Sequence, residues 1–292
     1  MHSTKPGLAR GAALLAGALA LVSLTACGGS SSSSKQAPAV QPRFVASDFG
    51  LPGRGANRFL PLKPGLQWVR VGATDVGHRR VPHRVIATVT GVTRLVDGIR
   101  AVAILDQDID AGQLAQYSID YLAEDRAGAV WSMGTYTENF EGGKFVSVFD
   151  AWLAGVNGGQ PGKLMLGDPR LGTPPYSIAR PPGADPDVAQ VVKSGQRVCV
   201  PLRCFDGAIV IREGKASAPD NEFKSYAPGV GQILNTPRSA SKHHDLESLV
   251  NVTRLSPQGL AEVNAQALRL DRHARTTKQS IYGTTPPAQR TL

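Results

Sequence analysis

The stretch HRVIATVTGVTRLVDGIRAVAILDQDID, residues 83–110, decides the fold class of this 292-residue chain. From Val85 to Thr90, successive residues fall on opposite faces, with the twofold periodicity of a β-strand. Asp97-Gly98 lies near the middle and is a strong signal for a tight turn between two antiparallel strands. We therefore predict a β-hairpin that reverses direction at Asp97.

Short alternating segments continue on both sides of this hairpin. Upstream, Pro64-Gly65 predicts a turn before a strand at Leu66–Val71. Downstream, the strand patterns are QLAQYSIDYLAED (113–125), AVWSMGTYTENF (129–140), FVSVFDAWL (145–153), QRVCVP (196–201), CFDGAIVIRE (204–213), EFKSYAPGVGQIL (222–234) and DLESLVNVTRL (245–255). Almost no helical pattern separates them, which argues against a parallel α/β fold. We expect a mainly β fold, or α+β with little α: a curved antiparallel meander sheet or half-barrel of seven to ten strands.

Two segments depart from the strand pattern. Residues 155–186 are rich in Gly and Pro, and we predict an ordered excursion over the surface there. Ser256-Pro257 predicts the start of one C-terminal helix, because Ser caps helix N-termini and Pro fits the first turn. We place the β domain at 57–255, the helix at 256–273 and a loose tail at 274–292.

The N-terminus has the three parts of a secretory signal peptide. Lys5 and Arg10 supply positive charge, residues 11–24 are apolar, and Thr25-Ala26 are small residues. The apolar run is about 14 residues long, whereas a membrane span needs roughly 20. We therefore predict a cleaved leader over residues 1–26.

Cys27 follows this leader directly. Leu24-Thr25-Ala26-Cys27 is similar to a bacterial lipobox, in which the Cys thiol is linked to diacylglycerol. Residues 27–56, which include the serine run Ser30–Ser34, are interpreted as a lipid-anchored flexible linker. This predicts an exported protein held by lipid on Cys27 at the outer face of the bacterial cell membrane. An ordinary signal peptide with a chance cysteine stays open as the alternative.

Cys199 and Cys204 remain in the mature chain. Four residues lie between them, so in an antiparallel hairpin the two cysteines face each other across the ladder. An exported compartment permits oxidation. We predict a structural disulfide and keep a redox or metal pair as the alternative, although C-x-x-C spacing is missing.

The charge balance is basic. The formal net charge is +9, and removal of residues 1–26 leaves 30 of the 32 basic residues and all 23 acidic ones, a net +7. A basic exported protein lies favourably on an anionic membrane or envelope polymer. The arginines are scattered, and no basic helical stripe with interleaved aromatics occurs, so we expect no nucleic-acid partner.

Several phrases of the chain occur together in a fixed order. They are NRFLPLKPG (57–65), IDYLAEDRAGAVWSMG (119–134), AWLAGVNGGQPGKLM (151–165), ADPDVAQVV (184–192), VCVPLRCFDG (198–207), SYAPGVGQI (225–233) and LVNVTRLSP (249–257). This set resembles a family of uncharacterised bacterial lipoproteins with a mostly β domain. The resemblance implies a lipid-anchored β protein and carries over no catalytic residue. The chain departs from the family at Thr135, where relatives tend to have an acidic residue.

Two constellations are weak metal candidates. Asp106, Asp108 and Asp110 suggest a calcium loop, but the glycine is seventh and not sixth, and no Glu stands at position twelve. Alternation on a strand instead indicates an acidic solvent face. His243 and Asp245 could share a strand face, but they are too few ligands for a typical zinc site.

Two charged groups are interpreted as solvated surface. Asp120 and Glu124 share one strand face with Leu122, and exposed carboxylates are commoner than buried ones. An exposed basic turn is predicted around the residues His78, Arg79, Arg80, His83 and Arg84.

No cofactor signature and no catalytic motif is present, so we expect no cofactor and favour a non-enzymatic role. The leading hypothesis is a membrane-anchored envelope protein whose concave sheet binds an apolar ligand or an envelope protein, with Trp68, Trp131 and Trp152 as its aromatics. One alternative is a hydrolase of envelope polymers that uses Asp168, Asp185 and Asp187. A purely structural or interaction lipoprotein is the other.

Overall fold

The computed structural model describes residues 38–77, 79–217, 222–237 and 246–292. Cys27, His78, His243 and Asp245 lie outside the described residues, as do the leader and the serine run. The lipidation and zinc predictions therefore stay predictions.

The described chain is mostly β-strand. The strands are β1 (Leu66–Val76), β2 (Arg79–Val96), β3 (Ile99–Asp110), β4 (Gln113–Glu124), β5 (Val130–Glu141), β6 (Lys144–Leu153), β7 (Gln160–Met165), β8 (Tyr176–Arg180), β9 (Asp187–Cys199), β10 (Cys204–Lys215), β11 (Glu222–Ala227), β12 (Gly231–Pro237), β13 (Leu246–Arg254) and β14 (Gln289–Arg290). The helices are α1 (Pro257–Thr277) and α2 (Gln279–Tyr282), preceded by a 3-10 turn at Ala46–Asp48. The mainly β prediction is confirmed.

The sheet closes on itself into a barrel of twelve strands. Antiparallel pairing runs in the order β1-β13-β12-β11-β10-β9-β8-β7-β5-β4-β3-β2, and β2 pairs again with β1. β6 pairs with β5 and β14 with β2, outside this ring. The predicted half-barrel of seven to ten strands was therefore only roughly right. Closure gives β1 a hydrogen-bonded neighbour on each side, which an open meander would not.

The hairpin at residues 83–110 forms as predicted. β2 and β3 pair through Val96 and Ile99, and the intervening Asp97 and Gly98 have φ of 47° and 76°. Two positive φ values define the hairpin turn whose twist matches the flanking strands.

The predicted surface excursion at 155–186 was wrong in part, since it supplies barrel strands β7 and β8. The pairing of β7 with β8 is short and joins Gln160 to Arg180 and Pro161 to Ala179. Pro161 is tolerated because it lies near the start of this short strand. A Cβ at Gly162 would lie 2.5 Å from the carbonyl oxygen of Ser177. The glycine that indicated a loop is needed for this close approach of two strands.

The C-terminal helix starts as predicted and ends later. Ser256 Oγ accepts a hydrogen bond from the backbone N–H of Gly259 at 3.1 Å, and the helix continues to Thr277. Residues 274–292 are not a loose tail. Tyr282 is completely buried and its hydroxyl donates to the carbonyl of Thr135 at 2.6 Å, which ties the segment to β5.

The described part of the predicted linker also packs on the barrel. Val40 pairs with Tyr176, and the rings of Phe44 and Phe49 lie 5.6 Å and 5.9 Å from that of Trp131. From residue 38 onward the linker prediction was wrong, because the backbone of Val40 hydrogen-bonds to Pro175 and Ser177 and the rings of Phe44 and Phe49 pack against Trp131.

The described residues form two apolar cores, one on each side of the sheet. The outer core lies between the strands β2–β6 and the two helices, and it includes Leu105, Tyr121, Trp152, Leu270 and Tyr282. The inner core fills part of the lumen and includes Leu62, Trp68, Ile104, Leu122, Ile211 and Ile233. Both faces of β2–β5 are therefore buried.

Candidate functional site: a charged cavity inside the barrel

The lumen contains a cavity of about 420 Å³ that its own side chains leave unfilled. Its apolar lining is Leu60, Leu62, Trp68, Val85, Ala87, Ile104, Leu122 and Leu164. Its charged lining is Arg70, Asp106, Asp108, Asp120, Glu222, Lys224 and Glu247, accompanied by Ser132, Tyr226, Gln232 and Asn235. The volume suits a small ligand, and the lining suits one that is amphipathic.

The segment Asn57–Gly65 contributes the first apolar wall. The Asn57 side-chain amide donates to the carbonyls of Gly128 at 2.6 Å and Leu166 at 3.0 Å. Its oxygen accepts from the backbone N–H groups of the two residues that lie two and three positions further on. This anchor holds Leu60 and Leu62 against the cavity. The NRFLPLKPG phrase therefore has a structural function.

Trp68 forms a second apolar wall and is fixed by the YAPGVG turn. Its indole N–H donates to the carbonyl of Val230 at 2.6 Å. A Cβ at Gly231, where φ is 114°, would lie 2.9 Å from the indole nitrogen. Trp131 and Trp152 lie in the outer core, so Trp68 alone of the three tryptophans lines the cavity.

Both basic groups of the cavity form ion pairs. Arg70 Nε lies 2.6 Å from Glu247 Oε2, and Lys224 Nζ lies 2.8 Å from Glu213 and 2.9 Å from Glu222. Burial alone would lower the pKa of Arg70 and of Lys224. The neighbouring carboxylates outweigh burial, so both pKa values are raised and both groups stay charged.

Asp106 and Asp120 are different, because within the described chain neither forms an ion pair. Asp106 pairs with Ser118 across the β3–β4 ladder, which places Asp120 diagonally beside it on the same face, about 7–8 Å away. Asp106 Oδ1 is buried and has no hydrogen-bond partner among the described residues.

The environment raises the pKa of both carboxyl groups. Burial is the main cause for Asp106, and the attraction of Arg70 opposes it. Burial raises the pKa of Asp120 to about 7, with Asp106 adding to the effect and a hydrogen bond with Thr135 opposing it. Thr135 lies opposite Asp120 in the β4–β5 ladder.

The predicted calcium-loop residues share one face, but that face is the lumen and not solvent. Asp106 and Asp108 line the cavity, and Asp110 Oδ1 lies 2.6 Å from His83 Nδ1. Among the described residues, no group of three or more His, Cys, Asp or Glu side chains is arranged to hold a metal ion.

Two predicted solvent faces were wrong in part, although Arg79, Arg80 and Arg84 of the basic turn are exposed as predicted. His83 is only 4% exposed and contacts Asp110, so it is not part of an exposed basic turn. Asp120 and Leu122 line the cavity, and Glu124 accepts from the backbone N–H of Ala56 at 3.1 Å. These positions face the interior because the barrel closes, whereas on an open sheet they would face solvent.

A second cavity of about 310 Å³ shares Asp108 with the first. Its lining is mostly polar and includes His83, Asp110, Gln116, Asn139 and Glu141. The two cavities give the lumen an apolar region, a charged region and a polar region.

The remaining predicted residues lie elsewhere. Cys199 and Cys204 pair across the β9–β10 ladder and form a disulfide, with Cα atoms 3.9 Å apart. The three carboxylates proposed for a hydrolase are on the surface with separate partners: Asp168 with Arg170, Asp185 with Ser217 and Asp187 with Lys215.

Sequence reasoning missed the ion-pair residues Arg70, Glu213, Lys224 and Glu247. The signal in the sequence was the spacing of charged residues relative to an aromatic one. The side chains of Glu222, Lys224 and Tyr226 share a face, because these residues follow one another at intervals of two along β11.

Comparisons with known proteins give only distant likeness. No family model and no curated protein matches the chain. Two solved structures resemble it: a candidate lipoprotein from Parabacteroides distasonis, with 11% identity, a TM-score of 0.35 and coverage of 68% of this chain and 99% of the other, and a candidate exported protein with a YmcC-like fold from Bacteroides fragilis, with 9% identity, a TM-score of 0.31 and coverage of 68% and 100%. Likeness at this level assigns no function. Within the described ranges, no helix is long and apolar enough to cross a membrane.

Proposed function

We propose that this chain is an exported envelope lipoprotein whose barrel binds a small amphipathic molecule without transforming it. The observation that carries the proposal is the cavity of about 420 Å³, walled by apolar side chains on one part and charged ones on another. Small-molecule sites are concave and combine apolar walls with polar groups that fix the orientation of the ligand.

The sequence before the barrel supports the exported, anchored location. The leader predicted at residues 1–26 ends directly before Cys27, and the Cys199–Cys204 disulfide suits an oxidising compartment outside the cytoplasm. Two acyl chains on Cys27 would give stable membrane attachment. We expect Cys27→Ser to shift the protein from the membrane fraction and to remove the mass of the diacylglycerol. A variant that keeps both would contradict the anchor.

Two observations favour binding over hydrolysis. The three surface carboxylates proposed from the sequence each contact a different partner and line neither cavity. Inside the lumen, Asp106 and Asp120 face a cavity of about 420 Å³, a volume that suits a small molecule and not a polymer chain.

The decisive experiment is native mass spectrometry of the full-length protein extracted from the membrane of the bacterium that makes it. We expect a bound small molecule in the wild type and its loss in Ala87→Phe, because Ala87 lines the cavity and the ring would occupy it. Thr253→Phe, on the exposed surface of β13, is the matched control and should keep the molecule. Equal occupancy in both variants, or none in the wild type, would overturn the proposal.

A further inference from the structure

We propose that the cavity selects a ligand with a positively charged nitrogen, an ammonium or guanidinium group attached to an apolar body, and that this nitrogen binds between Asp106 and Asp120. The inference rests on the proposed function, because it names the chemical class of the molecule that the barrel binds.

The charges that line the cavity favour a cationic ligand. Five acidic and two basic side chains line the cavity, a formal excess of three negative charges, whereas the whole chain carries +9. When Asp106 and Asp120 are both ionised, the cavity lining thus has the opposite sign to the chain as a whole. A cationic ligand would reduce this excess where the surrounding dielectric is low.

The two basic side chains that line the cavity are already paired with protein carboxylates. Arg70 contacts Glu247, and Lys224 contacts Glu213 and Glu222. An anionic ligand would therefore have to displace a protein carboxylate from each basic group. A cationic one meets Asp106 Oδ1, a buried oxygen that has no hydrogen-bond partner among the described residues, and such an oxygen costs free energy until it is paired.

The spacing of Asp106 and Asp120 allows both carboxylates to contact one nitrogen. Asp106 and Asp120 are diagonal neighbours on β3 and β4, with Cα atoms about 7–8 Å apart and side chains on one face. One nitrogen can contact an oxygen of each at about 2.8 Å when the two oxygens are about 5 Å apart. The reach of two Asp side chains closes the difference.

The apolar wall of the cavity lies next to the two carboxylates, on the same strands. Leu122 follows Asp120 by two residues on the same face of β4, about 7 Å along the strand. Ile104 precedes Asp106 in the same way on β3. Ile104 also pairs directly with Asp120 across the β3–β4 ladder. A ligand whose charged nitrogen meets the carboxylates would therefore place its first carbons against Ile104 and an apolar group four to five bonds away against Leu122.

The raised pKa values agree with this geometry. Burial keeps the pKa of Asp120 near 7 in the empty cavity, and a bound cation would favour the ionised carboxylate. Binding of the cation would then release a proton near neutral pH.

The test uses three six-carbon probes of equal chain length: hexylammonium, hexanol and hexanoate. Each is titrated by calorimetry at pH 8 into the full-length protein held in lipid nanodiscs, with empty nanodiscs as the blank. We expect hexylammonium to bind at least tenfold more tightly than hexanol, and hexanoate to bind most weakly.

Variants assign the preference to the two carboxylates. Asp120→Asn should weaken hexylammonium binding at least tenfold and leave hexanol within twofold, and Asp106→Asn should act in the same direction. Asp206→Asn changes an exposed carboxylate that pairs with Arg197, so it should alter neither probe. If one lumen variant does not fold, the other and the wild-type probe series still decide.

The outcomes separate the two proposals. Binding of hexylammonium and hexanol with equal affinity, or a preference for hexanoate, overturns the cationic ligand and leaves the binding barrel in place. Absence of binding by all three probes, together with no co-purifying molecule in the native mass spectrum, overturns both. A cation preference that both lumen variants retain also overturns the assigned site.

Discussion

The two faces of strands β2–β5 differ in whether their charged side chains form ion pairs. On the outer face, Arg94 is completely buried and ion-paired with Asp271 of α1, which also accepts from Tyr121 at 2.7 Å. On the lumen face, Asp106 and Asp120 have no ion pair within the described chain. The outer charges join the helix to the sheet, whereas the lumen carboxylates stay available for something that is not part of the barrel.

The largest effect should come from breaking the outer pair. Asp271→Ala leaves the guanidinium of Arg94 buried without its counter-ion, so we expect the free energy of unfolding to fall by about 4 kcal/mol. Urea unfolding followed by circular dichroism measures it. Asp206→Ala, in the exposed pair with Arg197, should cost less than about 0.5 kcal/mol. Similar losses in the two variants would contradict the role given to the outer pair.

A second variant perturbs the lumen wall. Gly231→Ala should destabilise the protein by about 3 kcal/mol, because the residue has positive φ and its Cβ would meet the indole of Trp68. Gly229→Ala has a similar backbone penalty with no atom within 4 Å, so it should cost about 1 kcal/mol. Thermal unfolding of the pair isolates the contact, and equal melting temperatures would show that it has no effect.

The third variant should have the opposite sign to the first. The folded pKa of Asp120, about 7, lies above its unfolded value. Its contribution to stability is therefore complete below about pH 4 and is lost as the pH rises through 7. At pH 8, Asp120→Asn avoids the buried charge and should be more stable than the wild type by about 2 kcal/mol.

The pH series provides the control for this variant. At pH 4 the wild-type carboxyl group is protonated and the gain from Asp120→Asn should be small. Unfolding free energies measured from pH 4 to pH 8 should therefore diverge steadily. A constant difference between the two proteins, or a less stable variant at pH 8, would show that Asp120 is not held in its neutral form by the lumen.

The smallest effect concerns the start of the helix that covers the outer face. Ser256→Ala removes the side chain that accepts from Gly259, and about 1 kcal/mol should be lost. Thr253→Ala, a nearby exposed strand position, is the control for this measurement. Because α1 covers only the outer core, hexylammonium binding in the lumen should be unchanged in Ser256→Ala.

The hairpin at Asp97, the cysteine pair and the N-cap at Ser256 could be predicted because each depends on residues close in sequence. The lumen cluster could not. Arg70 and Glu247 are 177 positions apart and meet only because β1 pairs with β13. The same closure moved Asp120 and His83 from an expected solvent face into the interior.

One segment of β3 does indicate burial on both faces of the sheet. In Ala101–Leu105, every residue is apolar, so neither face of β3 has the polar pattern of a solvated surface. That run indicates burial on both faces and hence a second layer. It does not indicate whether that layer is a helix, another sheet or the far wall of a barrel.

The sequence by itself determined the local structure: alternation set the strands, Asp97-Gly98 and Pro228-Gly229 set turns, and Ser256-Pro257 started the helix. Only the tertiary structure decided which strand face became lumen, because a period of two defines two faces without stating what covers each. The β3–β4 ladder makes Asp106 and Asp120 neighbours, and closure of the barrel encloses both in the cavity. The charge of the cavity is thus a property of the closed barrel and not of any one strand.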